Sequence, residues 1–510
     1  MHMRFTKRGG FKPPLRAALA AALLALPAGA CSGLLDVEDP DVTNDDLLGN
    51  EAAVPALRAA VIGDFISAYE SLAVHGGMLA DEYRFSETFP TRLQIDMRDM
   101  EENNGNLLGI FSGAATAAAT ADFVSARYDV ADADNSAIVE RAEAKTLGGY
   151  ALLAMAETYC SGVPISRIDR AAGGQLTFRY GTPLTTTQLV DSAIARFDAA
   201  LAIVGTGATT AINNQRNLAR VGKGRALLYR GNGDAAAAAA AVAGVPTNFT
   251  FQLQHSNNSG GENSFPWFFN ISNERVTLSN LEGGVFTDLD GDTQIEFNEF
   301  DAGTAEGLPF LQAGPGQPGG QDPRVLWTRR SNGTNLGFDG DTPLYDGLKY
   351  PDRTAFTILA SGVEARLIEA EAAFRAGNGA GMITILNGLR AQVQPLMQLL
   401  SFNYTTQQGV VGYAPGTGAT LEPLTLPATA AGQRSLLFQE RAYWLYLTGH
   451  RLPDLRRLVR QYGLSEDNVF PSGRHPWNNQ LYGDDMNFPI PVQELNNPAD
   501  GAGQCLDRAA

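Results

Sequence analysis

The densest chemistry in the chain is the run Asp288-Leu289-Asp290-Gly291-Asp292-Thr293-Gln294-Ile295-Glu296-Phe297-Asn298-Glu299. A loop that wraps calcium supplies side-chain oxygens from its first, third, fifth and twelfth positions. It adds a backbone carbonyl from the seventh and a group from the ninth that often ligates through water. Asp288, Asp290, Asp292 and Glu299 fill the side-chain places, Gln294 the carbonyl place and Glu296 the ninth, so the run predicts a Ca2+ site. Thr293 stands where such loops use glycine for a sharp turn, and flanking helices are not evident. The competing reading is an acidic surface turn closed by side-chain-to-backbone hydrogen bonds.

A second kind of chemistry is stacking. Sugar rings present apolar C–H faces to flat aromatics, while their hydroxyls need polar partners nearby. Tyr83, Phe85, Phe89 and Arg92 lie in one loop-rich stretch, His75–Asn106. A second stretch, residues 245–360, is rich in Gly, Asn, Asp, Pro and aromatics; it holds Phe265-Pro266-Trp267-Phe268-Phe269, then Trp327, Phe338, Tyr345 and Tyr350. From these, Tyr83, Phe85, Trp267 and Trp327 are the expected ligand-stacking rings, with Arg92 as a polar partner. The competing reading places most of them in the core.

Other patterns are weaker. Gly314-Pro315-Gly316-Gln317-Pro318-Gly319 matches G-x-G-x-x-G by letter, but its prolines and the lack of a strand–helix context make it a loop. The five histidines are scattered without zinc spacing, and neither a G-x-S-x-G elbow nor a Walker loop is present. Acidic neighbours such as Asp81-Glu82 are the type a glycosidase uses, yet among 55 acidic residues adjacency means little. No catalytic residues are assigned, and the chain is expected not to be an enzyme.

The elements that must position these groups are mostly helical. Val190, Ile194, Phe197 and Leu201 share one face after a Thr185-Thr186-Thr187 start, and Val363, Leu367, Ala370 and Phe374 share another that ends at Gly377-Asn378-Gly379. Met382, Ile385, Leu386, Leu389 and Val393 follow as the second arm of a hairpin. Ile138–Tyr159 pairs with Thr187–Val204, and Asn217–Tyr229 stops at Gly231-Asn232-Gly233 before restarting in Ala235–Ala241. Small residues at Ala142, Gly148, Gly149 and Ala226 suit close helix crossings. The pattern predicts degenerate tetratricopeptide-like hairpins around an irregular, loop-rich region at 245–360.

The first thirty residues read as a signal peptide. Arg4, Lys7, Arg8, Lys12 and Arg16 precede the short apolar stretch Ala17–Leu26, then Ala28-Gly29-Ala30-Cys31. A cysteine directly after such a segment marks a bacterial lipoprotein, so Cys31 is the expected lipidation site and residues 31–50 a linker to a domain over 51–510. Simple secretion is the alternative. Losing those five positive charges takes the net charge from −17 to −22, which disfavours nucleic acid and anionic headgroups as partners. No later apolar run is expected to reach membrane-spanning length. Cys160 and Cys505 either pair, tying the C-terminal tail to a helix, or remain separate thiols.

The mature start, Cys31 with Leu35-Asp36 and Pro40, resembles the opening of the SusD/RagB family. Glu364–Ala372, with its Ala370-Glu371-Ala372, and Asn387-x-x-Arg390 are similar to two of its helical motifs. The strongest likeness is the block Glu440-Arg441, Gly449-His450-Arg451 and Asp454-Leu455-Arg456-Arg457, followed by Phe488-Pro489-Ile490-Pro491, Glu494 and Asn497-Pro498. Trp444 and Thr448 depart from the family's usual glutamates, and Leu452 from its common aromatic. The resemblance implies a mostly α, SusD-like fold and a surface-exposed, lipid-anchored outer-membrane protein. Such a protein binds an oligosaccharide nutrient and delivers it to a SusC-like TonB-dependent transporter. Peptide capture, as in the RagB branch, is the alternative; a glycoside hydrolase and a helical-repeat adaptor are more distant ones. Arg441, Arg451, Asp454 and Arg456 are expected to form ion pairs that lock the C-terminal segment onto the scaffold, with Pro489 and Pro491 fixing an extended strap.

Overall fold

Threonine, serine and asparagine caps set where most of the long helices begin. In the computed structural model the Thr185 hydroxyl accepts the Gln188 amide at 3.2 Å while the Gln188 side chain accepts the Thr185 amide at 2.8 Å, a reciprocal capping box. Thr209, Ser361, Asn378 and Thr429 cap four further helices in the simpler one-bond form.

The structure describes residues 54–131, 137–170, 176–231, 233–258, 261–269, 275–278, 284–286, 300–301, 310, 322–325, 327–329, 336–340, 342, 344–401, 420–475, 480–499, 501 and 503–508. All belong to one unit, Asn50–Ala510. The signal segment, Cys31, the linker and the whole Asp288–Glu299 run lie outside the described residues.

In chain order the helices are α1 (Val54–Leu79), α2 (Pro90–Asp96), α3 (Gly105–Ala131), α4 (Ile138–Thr158), α5 (Thr186–Val204), α6 (Thr210–Arg230), α7 (Ala235–Val242), α8 (Ser264–Phe269), α9 (Gly362–Arg375), α10 (Gly379–Arg390), α11 (Val393–Leu400), α12 (Ala430–Trp444) and α13 (Arg451–Tyr462). Leaving out the short α2 and α8, the helices from α1 to α10 each pack on the next in line, which is the hairpin scaffold expected from the periodicity. The fold is mostly α, with small two- and three-stranded sheets.

Glycine makes the closest crossing possible. The Phe197 ring of α5 lies between Gly149 of α4 and Gly222 of α6; a Cβ at those positions would sit 2.8 Å and 2.5 Å from its Cε1. Phe197 is fully buried and meets Tyr150 edge-on at 5.1 Å between centroids. One sequence expectation is corrected here. Gly105–Tyr128 within α3 is long and apolar enough to cross a membrane, because its alanines raise the mean hydropathy. It packs against α1 and α4.

Glu70 on α1 anchors the loop-rich region. Its buried carboxylate accepts the Ser264 amide at 2.9 Å and the Thr357 hydroxyl at 2.7 Å, and lies 2.9 Å from His255 Nε2. At the other end of the chain, Thr158 and Cys160 exchange backbone hydrogen bonds with Phe488, and a disulfide joins Cys160 to Cys505. The alternative left open by spacing is thus settled as a pair, and the Pro489–Pro491 segment runs as a strap.

The motif residues of the helical scaffold form two buried ionic clusters. Arg441 grips Asp454 with two bonds of 2.7 and 2.9 Å; Arg457 bonds Glu371 at 2.5 and 2.9 Å and Asp454 at 2.9 Å. Glu440 binds Arg390 at 2.6 Å and, from the loop-rich region, Arg324 at 2.7 Å. Burial alone would raise the Asp454 carboxyl, but the Arg441 and Arg457 guanidiniums overcome it and hold it well below the usual carboxylate range. Arg456 departs from the expected role. Its guanidinium donates to the Ala156 and Glu157 carbonyls at 3.1 and 2.7 Å, so it clamps the end of α4 and has no acidic partner among the described residues.

Candidate ligand-binding surface

The two loop-rich stretches meet across a short sheet. Strand Tyr83–Phe85 pairs antiparallel with Val276–Leu278, in the register Tyr83 opposite Leu278 and Phe85 opposite Val276. Ser86 extends this pairing by donating its amide to the Arg275 carbonyl at 2.9 Å, and its own carbonyl accepts the Asp339 amide at 3.2 Å. Gly337 approaches so closely that a Cβ there would be 2.4 Å from the Ser86 carbonyl oxygen. Only glycine allows that contact.

A tight turn then presents Phe338. The Gly340 amide donates to the Gly337 carbonyl at 3.0 Å with Gly340 at φ 81°, and Asp339 accepts the Thr342 amide at 3.0 Å. On the facing loop Phe89 occupies the N-cap of α2, with Pro90 fixing the first helical position. Both rings stand out into solvent, each 53% exposed. Among the described aromatics, Phe178 and Tyr180 are the only others this exposed.

Arg275 links them. Its guanidinium carbon lies 5.9 Å from the Phe89 ring centroid and 6.0 Å from that of Phe338, and Arg92 lies 4.5 Å from Phe89. Both arginines converge on Glu87, which is nearly fully buried: Arg275 bonds it at 2.5 Å, and the Arg92 Nε donates to its other oxygen. The floor is apolar. Phe268 meets the His75 ring edge-on at 5.8 Å. Burial, with a smaller contribution from the Arg92 charge, lowers His75 to about 4, so it is neutral at neutral pH. Two flat rings, two fixed cations and one buried carboxylate can stack a planar or ring-shaped ligand and hydrogen-bond its polar rim.

The expected rings fare differently. Tyr83 is completely buried: its ring covers Gly77 of α1, where a Cβ would be 2.7 Å away, and its hydroxyl donates to the Val74 carbonyl. Phe85 is buried beside it. These positions are core, which corrects the expectation of exposed platforms there. Arg92 is buried against Glu87 and supports Phe89 from below. Trp327 is half-buried in the strand Trp327–Arg329, edge-on to Tyr345 at 5.4 Å. Trp267 falls in α8, and its side chain is outside the described residues. The six expected calcium ligands are likewise outside them, and no cluster of three metal-ligating side chains occurs among the described residues. Arg275 and Glu87 were not anticipated. Phe338 carried a legible signal, a glycine on one side and Asp339-Gly340 on the other.

Neither a family model nor a curated protein matches the chain. Solved structures do. A SusD-like protein of Bacteroides fragilis aligns with a TM-score of 0.58 at 13% identity, covering 91% of this chain and 98% of that one. A SusD/RagB family protein of Bacteroides thetaiotaomicron gives 0.52 at 13% identity over 86% and 93% of the two chains. A SusD-like carbohydrate binding protein of Bacteroides vulgatus gives 0.51 at 11% identity over 80% and 83%. The chain has the SusD-like fold.

Proposed function

We propose that this protein captures an oligosaccharide on the Phe89–Phe338 face and passes it to a TonB-dependent outer-membrane transporter. The observation that carries the reading is the pair of exposed rings flanking Arg275, on a fold shared with a protein described as carbohydrate binding. The role is binding without turnover. The signal segment and Cys31 would place the protein at the outer-membrane surface through a lipid anchor. The Asp288–Glu299 loop would hold Ca2+ and order its part of the loop-rich region.

A glycan and peptide array with the soluble form tests ligand class, followed by calorimetry of Phe89→Ala and Phe338→Ala. A glycan whose affinity drops in both variants supports the reading. A peptide ligand would replace the oligosaccharide, and hydrolysis of a bound glycan would replace capture by catalysis. Fatty-acid labelling should mark the wild type and not Cys31→Ala. Calcium binding should vanish in Asp288→Ala with Glu299→Ala, and its persistence there would move the ion elsewhere.

A further inference from the structure

A cavity of about 680 Å3 opens where the ends of α6, α9 and α13 meet the start of α5 and the C-terminal tail. It shares no residue with the aromatic face. Its size suits a small ligand, and its walls are polar: three arginines, Arg230, Arg375 and Arg460, line it against one exposed carboxylate, Asp507. That is unusual in a chain with 55 acidic against 38 basic residues.

The three cations are not equivalent. Arg230 is taken up by Asp191 and Asp234 at 2.6 and 2.7 Å. Arg375 leans on Glu371 at 3.4 Å and donates to the Tyr462 hydroxyl at 3.0 Å and to Gln461. Arg460 has no carboxylate partner among the described residues. It stacks 4.6 Å from the Tyr229 ring centroid and donates to the Tyr229 carbonyl at 2.8 Å and hydroxyl at 3.3 Å. These bonds leave part of its donor fork unused while fixing the plane of the guanidinium. Two of the amides at the start of α5 are already taken, Gln188 by the Thr185 hydroxyl and Thr186 by the Ser161 hydroxyl. The hydroxyls of Thr186 and Thr187 remain as the cavity's neutral hydrogen-bonding groups.

We infer that this cavity is a second binding site, for a sugar acid whose carboxylate is received by Arg460 and whose hydroxyls meet the threonines. A held guanidinium accepts a carboxylate through two parallel bonds, and hydroxyl-rich walls discriminate a sugar from a bare oxyanion.

Calorimetry of the full-length soluble protein with glucuronate, glucose and sodium sulfate tests this. Glucuronate should bind, with glucose at least tenfold weaker and sulfate unable to compete at equal concentration. Arg460→Gln should weaken glucuronate at least tenfold and Arg460→Lys by less. Thr187→Val, at an exposed position, should weaken it several-fold without changing the melting temperature, and reads the site even if Arg460→Gln disturbs the Tyr229 stack. Phe89→Ala should leave glucuronate binding unchanged, which keeps this site separable from the aromatic face. Absent glucuronate binding, equal binding of glucose or sulfate, or affinity unchanged in both Arg460→Gln and Thr187→Val would each overturn the proposal.

Discussion

Arg441 and Asp454 face each other in a bidentate ion pair, with Nε–Oδ2 at 2.7 Å and Nη2–Oδ1 at 2.9 Å, and both side chains are almost completely buried. The pair joins α12 to α13 and shares Asp454 with Arg457. Removing one member strands a buried charge, which costs far more than the pair itself contributes. Asp454→Asn is therefore expected to destabilise the protein by about 3–5 kcal/mol, measured by urea denaturation at pH 7. A loss below 1 kcal/mol would mean that the network tolerates an unpaired guanidinium.

The two sets of aromatics should separate cleanly. Tyr83→Ala opens a cavity over Gly77 and should cost about 3–5 kcal/mol of stability. Phe89→Ala and Phe338→Ala should shift stability by no more than about 0.5 kcal/mol, while each weakens ligand binding by about 0.5–1.5 kcal/mol. Melting curves and calorimetry on the three variants check this together.

Acid should weaken the fold through His75. The folded protein holds this ring neutral down to about pH 4, whereas the unfolded chain protonates it near 6.5. The unfolded state therefore binds more protons between these values, and stability is lost as pH falls from 6.5 toward 4. The contribution of His75 should be about 2–3 kcal/mol over that window. His75→Gln should flatten the fall in denaturation midpoint between pH 7 and pH 4.5; an unchanged slope would place the acid sensitivity in other groups.

Reduction should loosen the C-terminal strap. The disulfide closes a loop of 345 residues in sequence, and a cross-link of that reach is worth about 2–5 kcal/mol. Cys505→Ser should lower the melting temperature under non-reducing conditions. Adding reductant to the variant should change nothing further.

Much of the scaffold was legible because its helices keep one apolar face. The Val190–Leu201 stripe became Thr186–Val204, and the Val363–Phe374 stripe became Gly362–Arg375. The hairpin arm read as continuing to Val393 instead breaks at Ala391-Gln392, because Pro395 has no amide to donate to the Ala391 carbonyl and its ring would clash with it, which puts the proline in the first turn of a new helix. The aromatic face was harder. Strand Tyr83–Phe85 is buried on both sides, so it lacks the in–out alternation by which a core strand is told from a surface one. Phe89 differs from Phe85 only in what packs over it, and that cover is supplied by residues almost two hundred positions away. The Cys160–Cys505 pairing was legible only as one of two alternatives, since separation in sequence says nothing about separation in space.

The Cys160–Cys505 bond also sets what a protease can accomplish. Every peptide bond from 161 to 504 lies inside the closed loop, including the whole loop-rich stretch at 245–360. A single nick there leaves both fragments covalently joined, with the tail still bonded through Phe488 to the end of α4. One cut anywhere between the two cysteines therefore does not release either half.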